Sequence, residues 1–67
     1  MKAPRIASLK YPVTPLEAAS QLQISLRQAA NMLLIAQSDG YLFRIRASGR
    51  WLYSPTEQGL LLISLYL

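Results

Sequence analysis

The side chains with the greatest capacity for recognition chemistry are arginines, and three of them lie close together. Arg44, Arg46 and Arg50 fall within seven residues, and the N-terminal segment carries three more basic residues. A guanidinium group is always charged and presents a planar fork of donors that fits phosphate or carboxylate oxygens. Seven basic and three acidic residues give a net charge of +4. Such a charge attracts a small domain to polyanions, although it also fits ordinary solubility.

The rest of the composition argues against catalytic and metal chemistry. The chain contains neither His nor Cys, so it lacks thiolate zinc ligands, disulfides and the commonest metal ligand. Its three acidic residues are Glu17, Asp39 and Glu57, and they form no paired-carboxylate motif. The sequence has no glycine-rich phosphate loop. We therefore expect a protein that is not an enzyme and that requires no cofactor or metal.

The chain is short and rich in apolar residues. Its 67 residues, 52% of them hydrophobic, suffice for one small domain over residues 1–67. A chain of this length buries only about 60% of its unfolded surface. Stability must come from an apolar core, which a partner chain can complete. The apolar excess therefore indicates oligomerisation.

Three tetrapeptides have the pattern of a capping box, which begins a helix. They start at Thr14, Ser25 and Ser54, and each places Glu or Gln three residues later. In such a box the hydroxyl accepts from the third helical N–H, and the longer side chain reaches back to the N–H of the cap. Each box is followed by an apolar pattern compatible with a helix, so three helix starts are predicted.

The predicted helices follow from these starts and from their stop signals. The first runs from Pro15 to about Leu22, and the second from Leu26 to about Ser38, where Gly40 allows a left-handed end. The third runs from Pro55 into the apolar tail, although Gly59 disfavours a helix by about 1 kcal/mol relative to Ala. Residues 5–10 are expected to form one helical turn, and residues 12–14 a short strand.

Between the second and third helices the periodicity changes from helical to that of a strand. In residues 41–46 aromatic and β-branched side chains alternate with Leu42 and two arginines, and residues 47–50 contain a Ser-Gly turn. The pattern predicts a β-hairpin with arginines on one face and aromatics on the other. Trp51 and Tyr53 are expected to pack against the helices, with base stacking as the alternative.

The order of helix, three-residue break, helix and basic hairpin resembles the winged helix-turn-helix family of DNA-binding domains. The similarity covers roughly residues 13–59. The residues that match the family pattern are Ala18, Ala19, Ile24, Ser25, Ala29, Leu33, Ala36, Gly40, Tyr41 and Leu42. Residues 56–59 are similar to the threonine–acid–glycine helix opening of many bacterial regulators. The Ala-Ala helix and Ile-Ser turn also resemble small enterobacterial activators of the carnitine-regulator type.

The resemblance implies an α+β winged helix-turn-helix fold. It consists of a small three-helix core, a two- or three-stranded antiparallel wing and an apolar C-terminal helix. The segments are an N-terminal stretch (1–12), the helix-turn-helix (15–38), the wing (41–53) and the C-terminal helix (55–67), which is a candidate for dimerisation.

The resemblance also implies that the second helix enters the major groove of DNA. Arg can pair with guanine, Gln and Asn with adenine, and wing arginines with phosphates or the minor groove. The residues expected to contact DNA are Ser25, Leu26, Arg27, Gln28, Ala30, Asn31, Arg44, Arg46 and Arg50. Simpler roles stay open, because polar side chains are normal on an exposed helix, hydroxyls cap helices, and arginines keep hairpin edges soluble.

The second half of the second helix departs from the family pattern by being apolar most of the way round. The C-terminal helix can cover part of this surface with one face, and its other leucines then need a second chain, in a two-fold dimer. The residues expected at the dimer interface are Leu34, Ile35, Leu61, Leu62, Leu65 and Tyr66.

Two functions are compatible with these features. The first is a sequence-specific, double-stranded DNA-binding transcriptional regulator in the cytoplasm, associated with the nucleoid if bacterial. The alternative is a winged-helix protein–protein interaction module that uses the apolar C-terminal helix and binds no DNA. The expected partners are double-stranded DNA and a second copy or another protein subunit. No membrane partner is expected, because the apolar tail is too short to span a bilayer and lacks basic residues. No signal peptide is expected either, since Pro4, Arg5, Ser8 and Lys10 interrupt the apolar stretch that it would need.

Overall fold

A computed structural model describes residues 5–66 and has three α-helices and one β-hairpin. A 3₁₀ turn at Arg5–Ser8 precedes the other elements. The elements are α1 (Pro15–Leu22), α2 (Leu26–Ser38), β1 (Leu42–Ala47), β2 (Arg50–Pro55) and α3 (Glu57–Ser64). The predicted α+β architecture is confirmed. Residues 1–4 of the predicted N-terminal segment and residue 67 of the predicted C-terminal helix lie outside the described residues.

The first two helices begin at the predicted capping boxes. Thr14 Oγ1 accepts from the Glu17 N–H at 3.1 Å, and Glu17 Oε1 accepts from the Thr14 N–H at 2.9 Å. The same reciprocal pair joins Ser25 and Gln28, at 3.1 and 3.2 Å. Each box satisfies donors that the first helical turn leaves without an intrahelical partner. The bounds of α1 and α2 therefore follow from local sequence.

The prediction of a third capping box is wrong, because its first two residues belong to the hairpin. Ser54 pairs with Phe43 and Pro55 pairs with Leu42, so β2 continues through Pro55. The N-cap of α3 is Thr56, whose Oγ1 accepts from the Gly59 N–H at 3.1 Å. α3 consequently starts two residues later than predicted, at the threonine–acid–glycine opening.

Thr56 and Gly59 fasten α3 to the loop that leads from α2 into β1. The Thr56 hydroxyl donates to the Gly40 carbonyl oxygen at 2.6 Å, and the Thr56 N–H donates to the Tyr41 carbonyl oxygen at 3.0 Å. A Cβ built on Gly59 would overlap that same Tyr41 oxygen. Glycine is required here by close backbone approach, which outweighs its poor helix propensity.

The core lies between α2, the base of the hairpin and the N-terminal segment. α2 contributes Ala29, Leu33 and Ala36, which are three of the residues that match the family pattern. The other buried hydrophobic residues are Ile6, Leu9, Val13, Ala18, Ala19, Leu42 and Tyr53. The predicted strand at residues 12–14 reduces to a bridge between Val13 and Tyr53, with N–H···O distances of 3.0 and 2.7 Å.

A two-residue turn sets the hairpin register. Ser48 and Gly49 have φ values of 52° and 75°, and Ala47 pairs directly with Arg50. Positive φ at both central residues is typical of a type I′ turn, whose twist matches that of the strands. The register then places Arg46 opposite Trp51 and Arg44 opposite Tyr53.

This register makes the predicted separation of arginines from aromatics wrong. Directly paired residues share a face of an antiparallel sheet, so Arg44 and Arg46 lie on the same face as Trp51 and Tyr53. Phe43 lies on the opposite face with Ile45, because side chains alternate along a strand. The face of a strand residue depends on its partner, and the sequence of one strand does not specify that partner.

Tyr11 connects the N-terminal segment to the core. Its hydroxyl donates to the Ile6 carbonyl oxygen at 2.7 Å, and its ring packs against the buried residues. Burial raises the pKa of Tyr11 to about 12, because the surroundings disfavour the phenolate. The neutral phenol is thus the form that stabilises this packing.

The close approach at Gly59 predicts a large effect of adding one methyl group. Gly59→Ala should lower the free energy of unfolding by about 3 kcal/mol, because α3 must move away from Tyr41. Urea denaturation measures this change. Gly49→Ala is the control, since a Cβ there meets nothing and only the positive φ is strained, at about 1 kcal/mol. Equal losses in the two variants would contradict the proposed overlap.

The raised pKa of Tyr11 predicts how stability depends on pH in the alkaline range. The unfolded phenol ionises near pH 10, and the folded one near pH 12. The contribution of Tyr11 to the free energy of unfolding should therefore be constant below pH 10 and decrease between pH 10 and 12. The measurement is urea denaturation of the native protein and of Tyr11→Phe at each pH. Parallel pH profiles for the two proteins would show that Tyr11 does not cause the dependence.

Candidate nucleic-acid interface

An open groove of about 570 Å³ separates the beginning of α2 from the hairpin. Its α2 wall consists of Leu26 and Ala30, and its hairpin wall consists of Arg50 and Trp51. Residues 14–17, at the start of α1, complete the groove. The structure therefore brings the predicted recognition helix and the predicted wing to the two sides of one depression.

The polar residues of α2 lie beside this groove on the surface. Arg27 and Asn31 are both exposed and one helical turn apart, so their side chains share a face of α2. Leu26, at the first position of the helix, is 53% exposed, and Ala30 is half-buried. These residues can reach a ligand that lies along the outer side of α2.

Ser25 and Gln28 are also exposed, but their side chains already have partners. Gln28 Oε1 accepts from the Ser25 N–H, and Ser25 Oγ accepts from the Gln28 N–H. The amide oxygen of Gln28 is therefore used for capping. Its amide NH₂ group can donate to a ligand without breaking the cap. Of the two predicted amide contacts, Asn31 is the one that takes no part in the cap.

The arginines of the hairpin are held by an aromatic ring. The Arg44 guanidinium carbon lies 4.2 Å from the centroid of the Trp51 ring, and that of Arg46 lies 5.2 Å from it. Both distances are within the range of a cation–π interaction. The two cations are placed together at the outer end of the hairpin, next to the wall of the groove.

Packing of Trp51 against the helices was expected, and the structure differs. Tyr53 is 3% exposed, as expected, since it bridges to Val13 at the base of the hairpin. Trp51 is 38% exposed and carries the two arginines instead, because it lies nearer the tip, beyond the reach of the core.

Five residues that line the groove were not predicted at the DNA interface, namely Thr14, Pro15, Leu16, Glu17 and Trp51. Trp51 lines it, and the cross-strand register, inferred from a two-residue Ser-Gly turn, was the signal that could have placed it beside the arginines. Leu16 also lines it and is 68% exposed, in the first turn of α1. No sequence signal separates an exposed leucine in a first helical turn from a buried one.

A second surface, on α3 and the end of α2, is apolar. Its exposed members are Leu34, Ile35, Leu60, Leu61 and Leu65. Leu62 packs against the core, and it lines a depression of about 310 Å³ together with Ile35. One face of α3 thus closes the core while the opposite face remains exposed. Tyr66, the last described residue, is half-buried.

Within residues 5–66, no three His, Cys, Asp or Glu side chains come together as a metal site would require. In the same residues, every helix is too short or too polar to cross a lipid bilayer.

Comparison with known proteins identifies the architecture. The chain is similar to the solved structure of the type III plasmid segregation protein TubR, with a TM-score of 0.77 and 13% sequence identity. The match covers 96% of this chain and 68% of the TubR chain. The predicted winged helix-turn-helix fold is confirmed, and at this identity the likeness concerns the fold alone. No protein-family model matches the chain, and no curated protein does.

Proposed function

We propose that the protein binds double-stranded DNA in a sequence-specific manner, with the first half of α2 in the major groove and the hairpin on the backbone. The supporting observation is that the start of α2 and the arginine-bearing hairpin flank one open groove. A winged helix uses these two elements together when both meet the same duplex, and the net charge of +4 favours that encounter.

The face of α2 carries suitable chemistry for reading bases. Arg27 can donate two hydrogen bonds to guanine O6 and N7, and Asn31 can pair with adenine N6 and N7. Leu26 and Ala30 line the groove of the protein and offer apolar contact to the methyl group of a thymine. Ser25 and Gln28 contribute mainly by fixing the start of α2, since a loose helix end would misplace these contacts.

The hairpin supplies contacts that position the protein without reading sequence. Arg44 and Arg46 stand together over Trp51, and Arg50 lies at the wall of the groove. Guanidinium groups bind phosphates in a bidentate manner or enter a narrow minor groove. The acidic residue at the groove, Glu17, has its carboxylate engaged by the Thr14 N–H. Cations therefore dominate the surface that would face the duplex.

The biological use of DNA binding is regulation of transcription in the cytoplasm, in our proposal. A role in DNA segregation is the second possibility, because the structurally similar TubR carries that name. Both roles require the same contact with duplex DNA. The narrower resemblance to carnitine-regulator-type activators stays a prediction.

We further propose that the protein is a two-fold dimer through the apolar surface of α3 and the end of α2. Leu61 is 66% exposed and Leu65 is 77% exposed, while Leu34 and Ile35 are 46% and 62% exposed. Exposed apolar patches of this kind are typical of protein interfaces. Leu62 and Tyr66, which are partly buried in one chain, would lie at the edge of such an interface.

The same surface supports the alternative function, a protein–protein interaction module that binds no DNA. In that case another protein would cover α3, and the groove beside α2 would have no nucleic-acid partner. A fold alone does not separate these functions, since winged helices serve as scaffolds for different sites.

The DNA-binding proposal predicts a steep dependence on salt. The logarithm of duplex affinity should fall linearly with the logarithm of salt concentration, by about 0.9 for each neutralised phosphate. Arg46→Ala should reduce this slope by about 0.9, and Asn31→Ala should leave it unchanged but alter the preferred sequence. Fluorescence anisotropy with duplexes selected from a randomised pool measures both effects.

Arg5→Ala is the matched control for these variants. It removes the same charge, but Arg5 lines the depression beside Ile35, away from the groove. The salt dependence of duplex affinity in Arg5→Ala should have the same slope as in the native protein. Equal effects at Arg5 and Arg46 would mean non-specific attraction, and no duplex binding at low salt would remove the proposal in favour of the interaction module.

The dimer proposal predicts that the protein in solution has twice the mass of one chain. Sedimentation equilibrium at micromolar concentration should give about twice the 7.5 kDa of one chain. Leu61→Glu and Leu65→Glu should each give the monomer mass, because a buried unpaired carboxylate opposes association. Leu16→Glu places the same charge on an equally exposed leucine at the groove and should remain a dimer. A native protein of monomer mass throughout would contradict the dimer.

A further inference from the structure

Two guanidinium groups share one indole ring at the end of the hairpin. The guanidinium carbon of Arg44 is 4.2 Å from the ring centroid of Trp51, and that of Arg46 is 5.2 Å from it. The register explains both contacts, since Trp51 is directly opposite Arg46 and diagonal to Arg44. Backbone pairing therefore brings both arginine side chains within reach of the same ring.

This arrangement places two like charges against one ring. Two cations that approach the same ring repel each other, and the attraction of each to the negative face of the indole opposes that repulsion. An anion that accepts hydrogen bonds from both guanidinium groups would remove the repulsion. The pair is therefore suited to bind the phosphates of a nucleic-acid backbone.

We propose that Trp51 is a positioning residue, which holds Arg44 and Arg46 in place for backbone phosphates of the bound duplex. This inference rests on the proposed DNA-binding function and assigns the aromatic residue a role in it. An unrestrained arginine loses much rotamer freedom when it binds a phosphate. A guanidinium already stacked on an aromatic ring has lost part of that freedom before binding, so its contact is stronger overall.

The location of Trp51 links this pair of arginines to the duplex that α2 would read. The same ring lines the groove opposite Leu26 and Ala30. A duplex seated on α2 would therefore have its backbone close to the hairpin arginines. The ring is 38% exposed, so it supports the cations while remaining at the surface.

Two other roles for Trp51 make different predictions. If its ring stacked on an unpaired base, the protein would prefer single strands, and the ring itself would contact the nucleic acid. If the ring only stabilised the fold, its replacement would lower stability and leave the affinity of the folded protein unchanged. A positioning role instead predicts weaker binding by a folded protein that retains all its charges.

The test compares Trp51→Leu with Trp51→Phe in duplex binding over a range of salt concentrations. Trp51→Leu should weaken affinity roughly 3- to 10-fold at fixed salt, which corresponds to part of the cost of ordering two long side chains on binding. Its salt slope should match that of the native protein, because both arginines stay charged. Trp51→Phe should restore most of the affinity, since phenylalanine also offers an aromatic face.

A spectroscopic measurement shows whether the arginines are stacked. Protons beside a guanidinium that lies over an indole are shifted upfield by the ring current. The side-chain protons of Arg44 and Arg46 should lose this shift in Trp51→Leu, and the amide spectrum of the variant should stay that of a folded protein. Arg44→Ala is the comparison, because it should lower the salt slope as well as the affinity.

The possible results separate this inference from the proposed function. Unchanged affinity in Trp51→Leu, or equal losses in the leucine and phenylalanine variants, would overturn the positioning role and leave DNA binding intact. A preference for single strands with quenched Trp51 fluorescence would replace it with base stacking. If the native protein does not bind duplex DNA, the proposed function itself fails.

Discussion

The register of the hairpin is the constraint on which the candidate site depends. Ser48 and Gly49 form a two-residue turn with positive φ at both positions, which leaves one pairing for the strands. A shift by one residue would reverse every side chain between the faces. In the observed register Tyr53 enters the core, and Trp51 meets both arginines. The anchoring of the hairpin and its surface chemistry thus have the same cause.

α2 depends on small residues as much as the hairpin depends on its turn. Ala29 and Ala36 are buried with Leu33, and they allow α2 to lie close to α1 and to the base of the hairpin. The buried stripe is narrow, so Arg27 and Asn31 remain at the surface. Polar recognition chemistry and core packing therefore occupy different sides of the same helix, and neither displaces the other.

Apart from Phe43 and Ile45 on the hairpin, the exposed apolar residues have two main locations in the structure. One is the groove between α2 and the hairpin, where Leu16 and Leu26 are exposed beside Trp51. The other is the outer face of α3, which lies away from the hairpin arginines in sequence and carries no basic residue. We assign the first surface to DNA and the second to a partner chain, because the clustered arginines of the hairpin lie only beside the first.

The sequence by itself determined the features that local hydrogen bonding controls. Thr14 and Ser25 fixed the starts of α1 and α2, since a capping box involves only residues within one helical turn. The alternating pattern and the Ser-Gly turn identified the hairpin. The residues of α2 that are expected to reach DNA are exposed or half-buried because helical periodicity separates them from Ala29 and Leu33.

Tertiary structure alone decided the features that depend on a distant partner. Ser54 and Pro55 pair within the hairpin, so the N-cap of α3 is Thr56 and the helix starts at Glu57. Gly59, unfavourable in a helix by propensity, became necessary because the backbone at Tyr41 comes too close for a side chain. The pairing across the strands likewise turned Trp51 from an expected core residue into a support for two arginines. Propensity and capping act within a few residues, whereas register and close packing are set by residues far apart in the chain.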